Sequence, residues 1–235
     1  QFGHQHRILT TGNTDCYQPI EKKLEITRNM LKVLFDVKHP VGVITKNSLI
    51  QRDIDIIREM ASMNLVNVVI SITTLNEDLR RKMEPRTASV QKRLQTVEAL
   101  AKAGIPVMVN IAPIIPGLND VDIFAVAKAA AEHGALNINY TILRLPGEVE
   151  QVFTNWLEES FPLKKDKVLH QLASIHGGSI QDQKMGRRMR GEGALAESIK
   201  QQIQLARNKF NLNKKLPALN CDIFDARING QFSLF

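Results

Sequence analysis

Hydroxyl and charged side chains stand where several apolar stretches of this sequence end. Thr14 and Asp15 follow the first stretch, and Lys46 follows the run V-G-V-I-T. Ser71 follows L-V-N-V-V-I, and Arg144 follows N-I-N-Y-T-I-L. Carboxylate, amine, hydroxyl and guanidinium groups in one place suit a ligand that carries an amine, a carboxylate and hydroxyls. This interpretation requires the ends of the apolar stretches to meet.

The apolar stretches alternate with helix-like segments at intervals of about thirty residues, which is typical of parallel βα units. Predicted strands cover residues 8–14, 41–45, 65–73, 105–113 and 137–144. These runs are apolar on both faces, as strands covered by helices are. The carboxyl ends of such strands lie at one edge, where ligands bind. The sequence therefore predicts an α/β fold with its site at that edge.

The intervening segments carry apolar residues at helical spacing. A helix is predicted to begin at Pro19, and Ser48 is predicted to cap the next one. The predicted inner face of the first helix comprises Ile20, Leu24, Thr27, Leu31 and Leu34. Residues 147–235 break the βα rhythm and are predicted to form helices at 149–160, 164–175 and 195–211. The predicted division is a βα core at 1–146 and a helical extension at 147–235.

Bulk composition narrows the class of protein. The chain has 235 residues, 43% hydrophobic and 23% charged, as in an ordinary globular protein. No apolar run reaches the roughly 18 residues of a membrane span, and the polar N-terminus is no signal peptide, so a cytoplasmic protein is predicted. Cys16 and Cys221 are expected to be free thiols, and two cysteines are too few for a thiolate metal site.

The net charge of +7 is concentrated towards the C-terminus. From Lys184 onward there are ten Lys or Arg against four Asp or Glu. The loop K-M-G-R-R-M-R-G contributes Arg187, Arg188 and Arg190, which with Arg144 are candidates for substrate contacts. Arginine forks bind phosphate well, so a phosphate-bearing substrate such as single-stranded or flipped nucleic acid is favoured. The alternative is a solvated basic surface.

Five motifs in register carry a resemblance to a known family. They are T-D-x-Y-Q-P-I-E from Thr14, V-I-T-K ending at Lys46, S-I-T-T-L-N-E-D-L-R-R-K-M-E-P-R from Ser71, P-I-I-P-G-L-N-D from Pro113 and G-R-R-M-R-G-E-G from Gly186. The chain resembles radical S-adenosylmethionine (radical SAM) proteins of the spore photoproduct lyase, or DNA-repair-photolyase-like, branch. The resemblance runs from about residue 8 to the C-terminus.

The resemblance implies a fold, cofactors and roles for single residues. The fold is a partial TIM-type (β/α)6 barrel, of which this chain resembles units two to six. The cofactors are S-adenosylmethionine and a [4Fe–4S] cluster held by three thiolates, which together yield a 5′-deoxyadenosyl radical. Thr14 and Asp15 match a pair that holds the methionine ammonium. Lys46 and Ser71 match positions facing the carboxylate and the ribose, and Pro113 with Ile114 matches the loop against adenine.

Two departures from the family pattern limit what is expected. The C-x-x-x-C-x-x-C cluster loop is absent, so we expect the chain to begin after that loop, to contain no metal ligands and to be inactive by itself. The cluster ligands are then expected upstream. The lyase's hydrogen-donor cysteine falls at Gly12, with Cys16 displaced beyond Asp15, so lyase activity on spore photoproduct is not expected.

Two other interpretations of the sequence stay open. Lys46 is also a candidate Schiff-base nucleophile of a barrel aldolase, which needs a neutral amine in an apolar pocket or beside a second cation. The terminal Q-F-S-L-F resembles the peptide by which bacterial repair proteins dock on the DNA sliding clamp, with Gln231, Leu234 and Phe235 as contacts. A non-enzymatic, clamp-tethered nucleic-acid-binding module is therefore the second alternative. Glu84 is assigned no chemistry and is expected to pair with Arg86 or to cap a helix.

Overall fold

The computed structural model describes residues 8–9, 14–176 and 190–224, and its strands form one parallel sheet. The strands are β1 (Ile8–Leu9), β2 (Val41–Thr45), β3 (Val66–Ser71), β4 (Val107–Ile114) and β5 (Asn137–Ile142). They pair in chain order, each parallel to the next. This order confirms the predicted α/β fold of parallel strands and brings the carboxyl ends of the strands to one edge.

Helices cover one face of the sheet. They are α1 (Glu21–Leu24), α2 (Ile26–Asp36), α3 (Ile54–Ser62), α4 (Glu77–Met83), α5 (Val90–Lys102), α6 (Ile123–Glu132), α7 (Val149–Ser160), α8 (Lys165–Ile175) and α9 (Gly193–Lys209). Val43, Val68 and Val109 pack against these helices in the core. β-branched residues at these positions suit a strand buried against helices.

The opposite face of the sheet, here called the inner face, is half-buried and more polar. The register places Ser71 beside Asn110, and Asn110 beside Asn139. Because side chains alternate between the faces of a strand, these three point to the same side. Ser71 is buried, whereas Asn110 and Asn139 are half-buried. The inner face is therefore lined by hydrogen-bonding groups.

Two expectations about the first helices are wrong. Glu25 adopts a left-handed conformation with φ of 51° and separates α1 from α2, so Ile20 and Leu24 turn outward and are 54% and 49% exposed. Thr27, Leu31 and Leu34 are buried as predicted. Ser48 is not a cap: a 3-10 helix, Ser48–Asp53, precedes α3, and its cap is Asn47, whose side chain accepts from the Leu49 backbone N–H at 3.0 Å.

The helices after residue 147 pack on the βα part in two places. α9 lies against α6 and β5, and its Ile199 and Ile203 belong to the main core. α7 and α8 enclose a second, smaller apolar cluster around Leu157 and Leu172. The division at residue 146 stays a prediction. No helix within the described ranges is long and apolar enough to cross a membrane.

Residues 213–224, here called the C-terminal strap, run along the amino-terminal edge of the sheet. The strap bonds to the residue before β5 through Lys214 N–H and Leu136 O (3.2 Å) and to the turn before β3 through Asn220 N–H and Asn64 O (2.8 Å). The ring of Phe224 lies edge-on, 4.7 Å from that of His39, which precedes β2. This edge is thus covered, and the edge with the predicted site is the opposite one.

Candidate functional site

The segment that carries Asp15 is fixed by a buried tyrosine. Tyr17 is fully buried, and its hydroxyl donates to Asp53 Oδ2 at 3.0 Å. Asp53 is itself buried and paired with Arg28 and Arg52. Burial, and secondly the negative charge of Asp53, raise the pKa of Tyr17, so this hydroxyl stays a donor. The turn after β1 therefore holds Asp15 in a defined position.

Asp15 joins the end of β1 to the end of β2. Its Oδ1 accepts from the Thr45 hydroxyl at 2.7 Å and from the Tyr17 N–H at 2.9 Å. Its Oδ2 accepts from the Lys46 N–H at 2.8 Å. The carboxylate is half-buried and no cation of the described residues pairs with it, so its negative charge is unneutralised. Thr14 next to it is exposed and accepts from the Gln18 amide at 2.7 Å.

Lys46 reaches a carboxylate that the sequence did not single out. Its Nζ lies 2.5 Å from Glu84 Oε1, which also accepts from the Thr73 hydroxyl at 2.8 Å. Glu84 Oε2 accepts from Arg93 Nη2 at 2.7 Å. Arg93 donates in turn to the backbone oxygen of Ser71 at 3.0 Å. Lys46, Glu84 and Arg93 form what is here called the charge triad, and it links Asp15, Lys46 and Ser71.

The electrostatics of the charge triad favour a charged Glu84. Burial alone raises the pKa of this carboxyl, but the positive charges of Lys46 and Arg93 outweigh burial and hold its pKa below its ordinary value. The expected pairing with Arg86 is wrong, because the Glu84 side chain turns inward to Arg93. The one signal in the sequence is spacing: Arg93 lies nine residues after Glu84, inside an otherwise amphipathic helix.

An apolar hollow of about 490 Å³ opens beside Lys46. Its walls come from the loop after α4, from the ends of β4 and β5 and from α7. The lining side chains other than Lys46, Lys82 and Glu84 are apolar, namely Met83, Pro85, Pro113, Ile115, Leu143, Val149, Val152, Phe153 and Trp156. A hollow of this size and character suits a small ligand with an apolar ring and one charged end.

Asn119 holds the loop after β4 against the end of β3. It is fully buried, and its amide donates to Thr73 O at 2.8 Å and to Pro113 O at 2.9 Å. Its Oδ1 accepts from the Ile115 N–H at 2.6 Å. These three bonds fix Pro113 and Ile115 on the wall of the hollow. Asn119, itself a residue of the motif P-I-I-P-G-L-N-D, therefore fixes the conformation of that motif.

The structure brings some predicted residues to the hollow and leaves others away from it. Ile114 was expected at the adenine loop, but its side chain is buried in the core, and Ile115 takes the place on the hollow's wall. Arg144 is half-buried after β5, and its buried Nε has no hydrogen-bond partner within the described ranges. Arg190 lies at the free edge of β5 instead of lining the hollow.

Several predicted residues lie outside the described ranges. These are Arg187 and Arg188 of the basic loop and Gln231, Leu234 and Phe235 of the terminal peptide. Their roles in substrate and clamp binding stay predictions.

The residues that the structure describes contain no group of three potential metal ligands. Cys16 follows β1 at the carboxyl edge of the sheet, whereas Cys221 belongs to the C-terminal strap at the amino edge. The two thiols therefore do not converge, and this part of the chain does not fit a [4Fe–4S] cluster, which needs three or four thiolates.

The geometry around Lys46 distinguishes two chemistries. A Schiff-base nucleophile must attack as a neutral amine, whereas Lys46 Nζ is held in an ion pair 2.5 Å from Glu84 Oε1. An ammonium ion at one end of an apolar hollow suits a carboxylate ligand. The arrangement therefore argues against the aldolase and for binding of a small zwitterion with an apolar ring.

Comparisons with known proteins identify the family. Residues 1–130 match the model of the radical SAM superfamily. An uncharacterised protein of Methanocaldococcus jannaschii is 29% identical over 156 residues, which are 66% of this chain and 57% of the relative. An uncharacterised protein of Mycobacterium tuberculosis is 31% identical over 154 residues, 64% of this chain and 45% of the relative. The chain thus spans about half the length of these curated relatives.

Solved structures of spore photoproduct lyase share the fold. The lyase complexed with dinucleoside spore photoproduct superposes with a TM-score of 0.63 at 16% identity, over 89% of this chain and 60% of the lyase chain. A double mutant of the lyase with bound AdoMet and dinucleoside spore photoproduct gives a TM-score of 0.55 at 15% identity, over 87% of this chain and 58% of that chain. The predicted partial barrel of parallel strands is confirmed. With more than half of its residues matched by the family model, the chain belongs to the radical SAM superfamily.

Proposed function

We propose that this chain is the S-adenosylmethionine-binding core of a radical SAM enzyme of the spore photoproduct lyase branch. One observation carries the proposal: the ammonium group of Lys46 stands at one end of an apolar hollow of about 490 Å³, at the carboxyl edge of a parallel sheet. S-adenosylmethionine has a carboxylate at one end and an adenine ring at the other. The hollow offers a matching partner for each.

The methionine end of the ligand has two candidate contacts. Only one acceptor of the described residues pairs with Lys46 Nζ, and an ammonium ion has three donors, so the methionine carboxylate binds without displacing Glu84. Asp15 is hydrogen-bonded to three groups of the chain, yet no cation of the described residues pairs with it, and it attracts the methionine ammonium. Lys46 thus pairs with the carboxylate of the methionine part of the ligand, and Asp15 pairs with its ammonium group.

The nucleoside end has the remaining contacts. The Ser71 hydroxyl is buried on the inner face, forms no hydrogen bond with another described residue and is available to a ribose hydroxyl. Pro113 supplies an apolar contact for adenine, and Ile115 replaces the expected Ile114. The proposed pocket therefore comprises Asp15, Lys46, Ser71, Pro113 and Ile115, with Thr14 at its exposed rim.

We assign the ligands of the [4Fe–4S] cluster to residues other than those that the structure describes. When bound, a [4Fe–4S] cluster supplies the electron that cleaves the sulfonium of S-adenosylmethionine. The role of this chain is to bind S-adenosylmethionine, to orient it through Lys46 and Asp15 and to enclose its adenine ring in the hollow. Nucleic acid is the proposed substrate class, because solved relatives of this fold bind a dinucleoside lesion. Arg144, whose buried Nε has no hydrogen-bond partner among the described residues, is a candidate contact for that substrate.

Binding of S-adenosylhomocysteine tests the pocket without the cluster. Trp156 is the only tryptophan in the sequence and lines the hollow, so its fluorescence reports occupancy. We expect Lys46→Met to raise the dissociation constant about tenfold, the effect of losing one charge-assisted hydrogen bond.

Lys82→Met is the matched control for that measurement. Lys82 lines the same hollow, but its Nζ donates to Ser160 O at 3.3 Å and lies 4.6 Å from the centre of the Phe161 ring. We expect this variant to change the dissociation constant by less than about twofold. Equal effects of the two substitutions, or no binding by the unaltered chain, would reject the assignment of the pocket.

The radical chemistry has its own test. The protein with its upstream coding residues, reconstituted anaerobically with iron and sulfide, is expected to release 5′-deoxyadenosine from S-adenosylmethionine upon reduction. An iron-free product would reject radical chemistry while leaving the nucleotide pocket to the binding experiment.

A further inference from the structure

A second concavity, here called the edge groove, lies away from the hollow. It has a volume of about 650 Å³ and runs between the free edge of β5 and α9. None of its lining residues lines the hollow. The lining residues that carry the argument are Tyr140, Arg190, Glu197, Lys200 and Arg207.

Two arginines of the edge groove have only neutral partners in the part of the chain that the structure describes. The guanidinium of Arg190 lies 4.0 Å from the centre of the Tyr140 ring and donates to Asn139 Oδ1 at 2.7 Å. Arg207 donates from Nε and Nη2 to Ile138 O at 3.0 and 2.7 Å. These contacts orient the guanidinium groups but leave both positive charges without an anion.

The lining of the edge groove carries one more cation than carboxylates. Lys200 forms an ion pair with Glu197 at 3.1 Å, and Glu192 is the other carboxylate of the lining. Three cations therefore face two carboxylates. Burial, and next the positive charge of Arg190, lower the pKa of Arg207, so the two guanidinium groups repel each other across the groove. An anion between them would relieve this repulsion.

We propose that the edge groove binds a phosphate group through Arg190 and Arg207. Phosphate accepts two parallel hydrogen bonds from a guanidinium fork, and two forks on one open groove match its several oxygens. The ligand is either a free phosphate compound or the phosphodiester backbone of nucleic acid. This assignment does not depend on the radical chemistry, since it uses neither the hollow nor the charge triad.

Arg190, which lines the edge groove, also reaches a residue of the inner face of the sheet. Arg190 contacts Asn139, and Asn139 is paired in register with Asn110. The buried Oδ1 of Asn110 has no hydrogen-bond partner among the described residues. A buried acceptor without a donor costs free energy, so it points to a ligand that supplies the donor. A ligand whose phosphate sits in the groove can extend past Asn139 to this amide.

Phosphate binding is measured with two probes on the iron-free chain. One is fluorescein-labelled dodecathymidylate, followed by anisotropy, and the other is inorganic pyrophosphate, followed by calorimetry and used as a competitor of the first. For the double variant Arg190→Gln, Arg207→Gln we expect at least a roughly tenfold rise in the dissociation constant. The slope of log K against log salt should fall by about 1.4, which is about 0.7 for each lost contact to single-stranded DNA. Binding of pyrophosphate alone would assign the groove to a free phosphate compound.

A charge-matched control separates the site from general basicity. Arg58→Gln, Lys102→Gln removes two exposed cations on α3 and α5 that pair only with neighbours on their own helices. This control should leave affinity within about twofold, and Arg190→Lys, Arg207→Lys should recover most of it. Thermal melting verifies that each variant is folded. Failure of both probes to bind, or an equal loss in the control, would overturn the phosphate site.

Discussion

A single residue, Glu84, decides how Lys46 meets a ligand. Lys46 is 30% exposed, whereas Glu84 and Arg93 are 8% and 1% exposed in their side chains. Glu84 offsets one of the two cations, so the charge triad keeps one net positive charge, and only Lys46 presents it to the hollow. Arg93 therefore acts on the ligand through Glu84: without it, Glu84 would neutralise Lys46.

Glu84 also makes stability depend on pH in a predictable direction. Its pKa in the folded protein lies below its ordinary value of 4.5, so the unfolded chain binds the proton more tightly. The stabilisation is fully present above about pH 4.5 and is lost as pH falls through the folded pKa. Glu84→Gln should cost about 3 kcal/mol at pH 7, because Arg93 and Lys46 lose their counter-ion.

Urea unfolding at pH 7, 5, 4 and 3 measures this effect. The difference in free energy of unfolding between the wild type and Glu84→Gln should shrink as pH falls below about 4.5. Glu132→Gln is the control, since Glu132 is exposed and lies 3.8 Å from Lys128 on the same helix. A difference that stays constant from pH 7 to pH 3 would contradict a charged Glu84 in the triad.

At the scale of elements, Asn119 connects two strand ends that the site requires. Asn119→Ala leaves Ile115 N–H, Thr73 O and Pro113 O without their partner. We expect a loss of about 3 kcal/mol in the free energy of unfolding and weaker binding of S-adenosylhomocysteine, because the wall of the hollow is released.

Asn155→Ala is the control for Asn119→Ala. Asn155 is exposed and accepts only from Gln151 on the same helix at 2.7 Å. Its loss should change the free energy of unfolding by less than about 0.5 kcal/mol and leave ligand binding unchanged. Binding that survives Asn119→Ala in a folded variant would show that the loop does not depend on this residue.

Elements were predictable from the sequence where apolar periodicity is strong. The β-branched runs before Lys46 and Ser71 gave β2 and β3 nearly at their observed bounds, and with them the meeting of strand ends. α4 was not predicted, because it buries Leu79 and Arg80 instead of an apolar stripe. Ile114 was matched to the adenine loop through the family resemblance, which carries no information on the side-chain direction, and the structure ends β4 at Ile114 and buries its side chain in the core.

Contacts between residues that are distant in sequence could not be predicted, and they complete the site. Asp15 and Lys46 were found because each directly follows a predicted strand. Glu84 lies in a loop, and its partners are 38 residues before it and nine after it. A single sequence carries no signal for the first of these contacts, so the charge triad became visible only in the folded chain.

At the scale of the whole molecule, the C-terminal strap and the hollow lie at opposite edges of the sheet. Removal of residues 217–235 deletes the bonds from Asn67 Nδ2 to Pro217 O and from Asn220 N–H to Asn64 O, and the ring contact of Phe224 with His39. We expect a loss of about 2 kcal/mol in the free energy of unfolding. The dissociation constant of S-adenosylhomocysteine should change by less than about twofold, because the deleted contacts are remote from the hollow.

Removal of residues 225–235 alone keeps every one of these contacts and is the matched control. It should leave ligand affinity unchanged and cost less free energy of unfolding than the longer deletion, while it deletes the terminal Q-F-S-L-F that is predicted to bind the sliding clamp. Two outcomes would contradict the assignment of stability to the strap at the amino edge and of ligand binding to the carboxyl edge. One is weaker nucleotide binding after the longer deletion in a folded chain, and the other is an equal loss of stability after the shorter deletion. The first would mean that the amino edge of the sheet supports the hollow, and the second that the strap contacts are not the source of the lost stability.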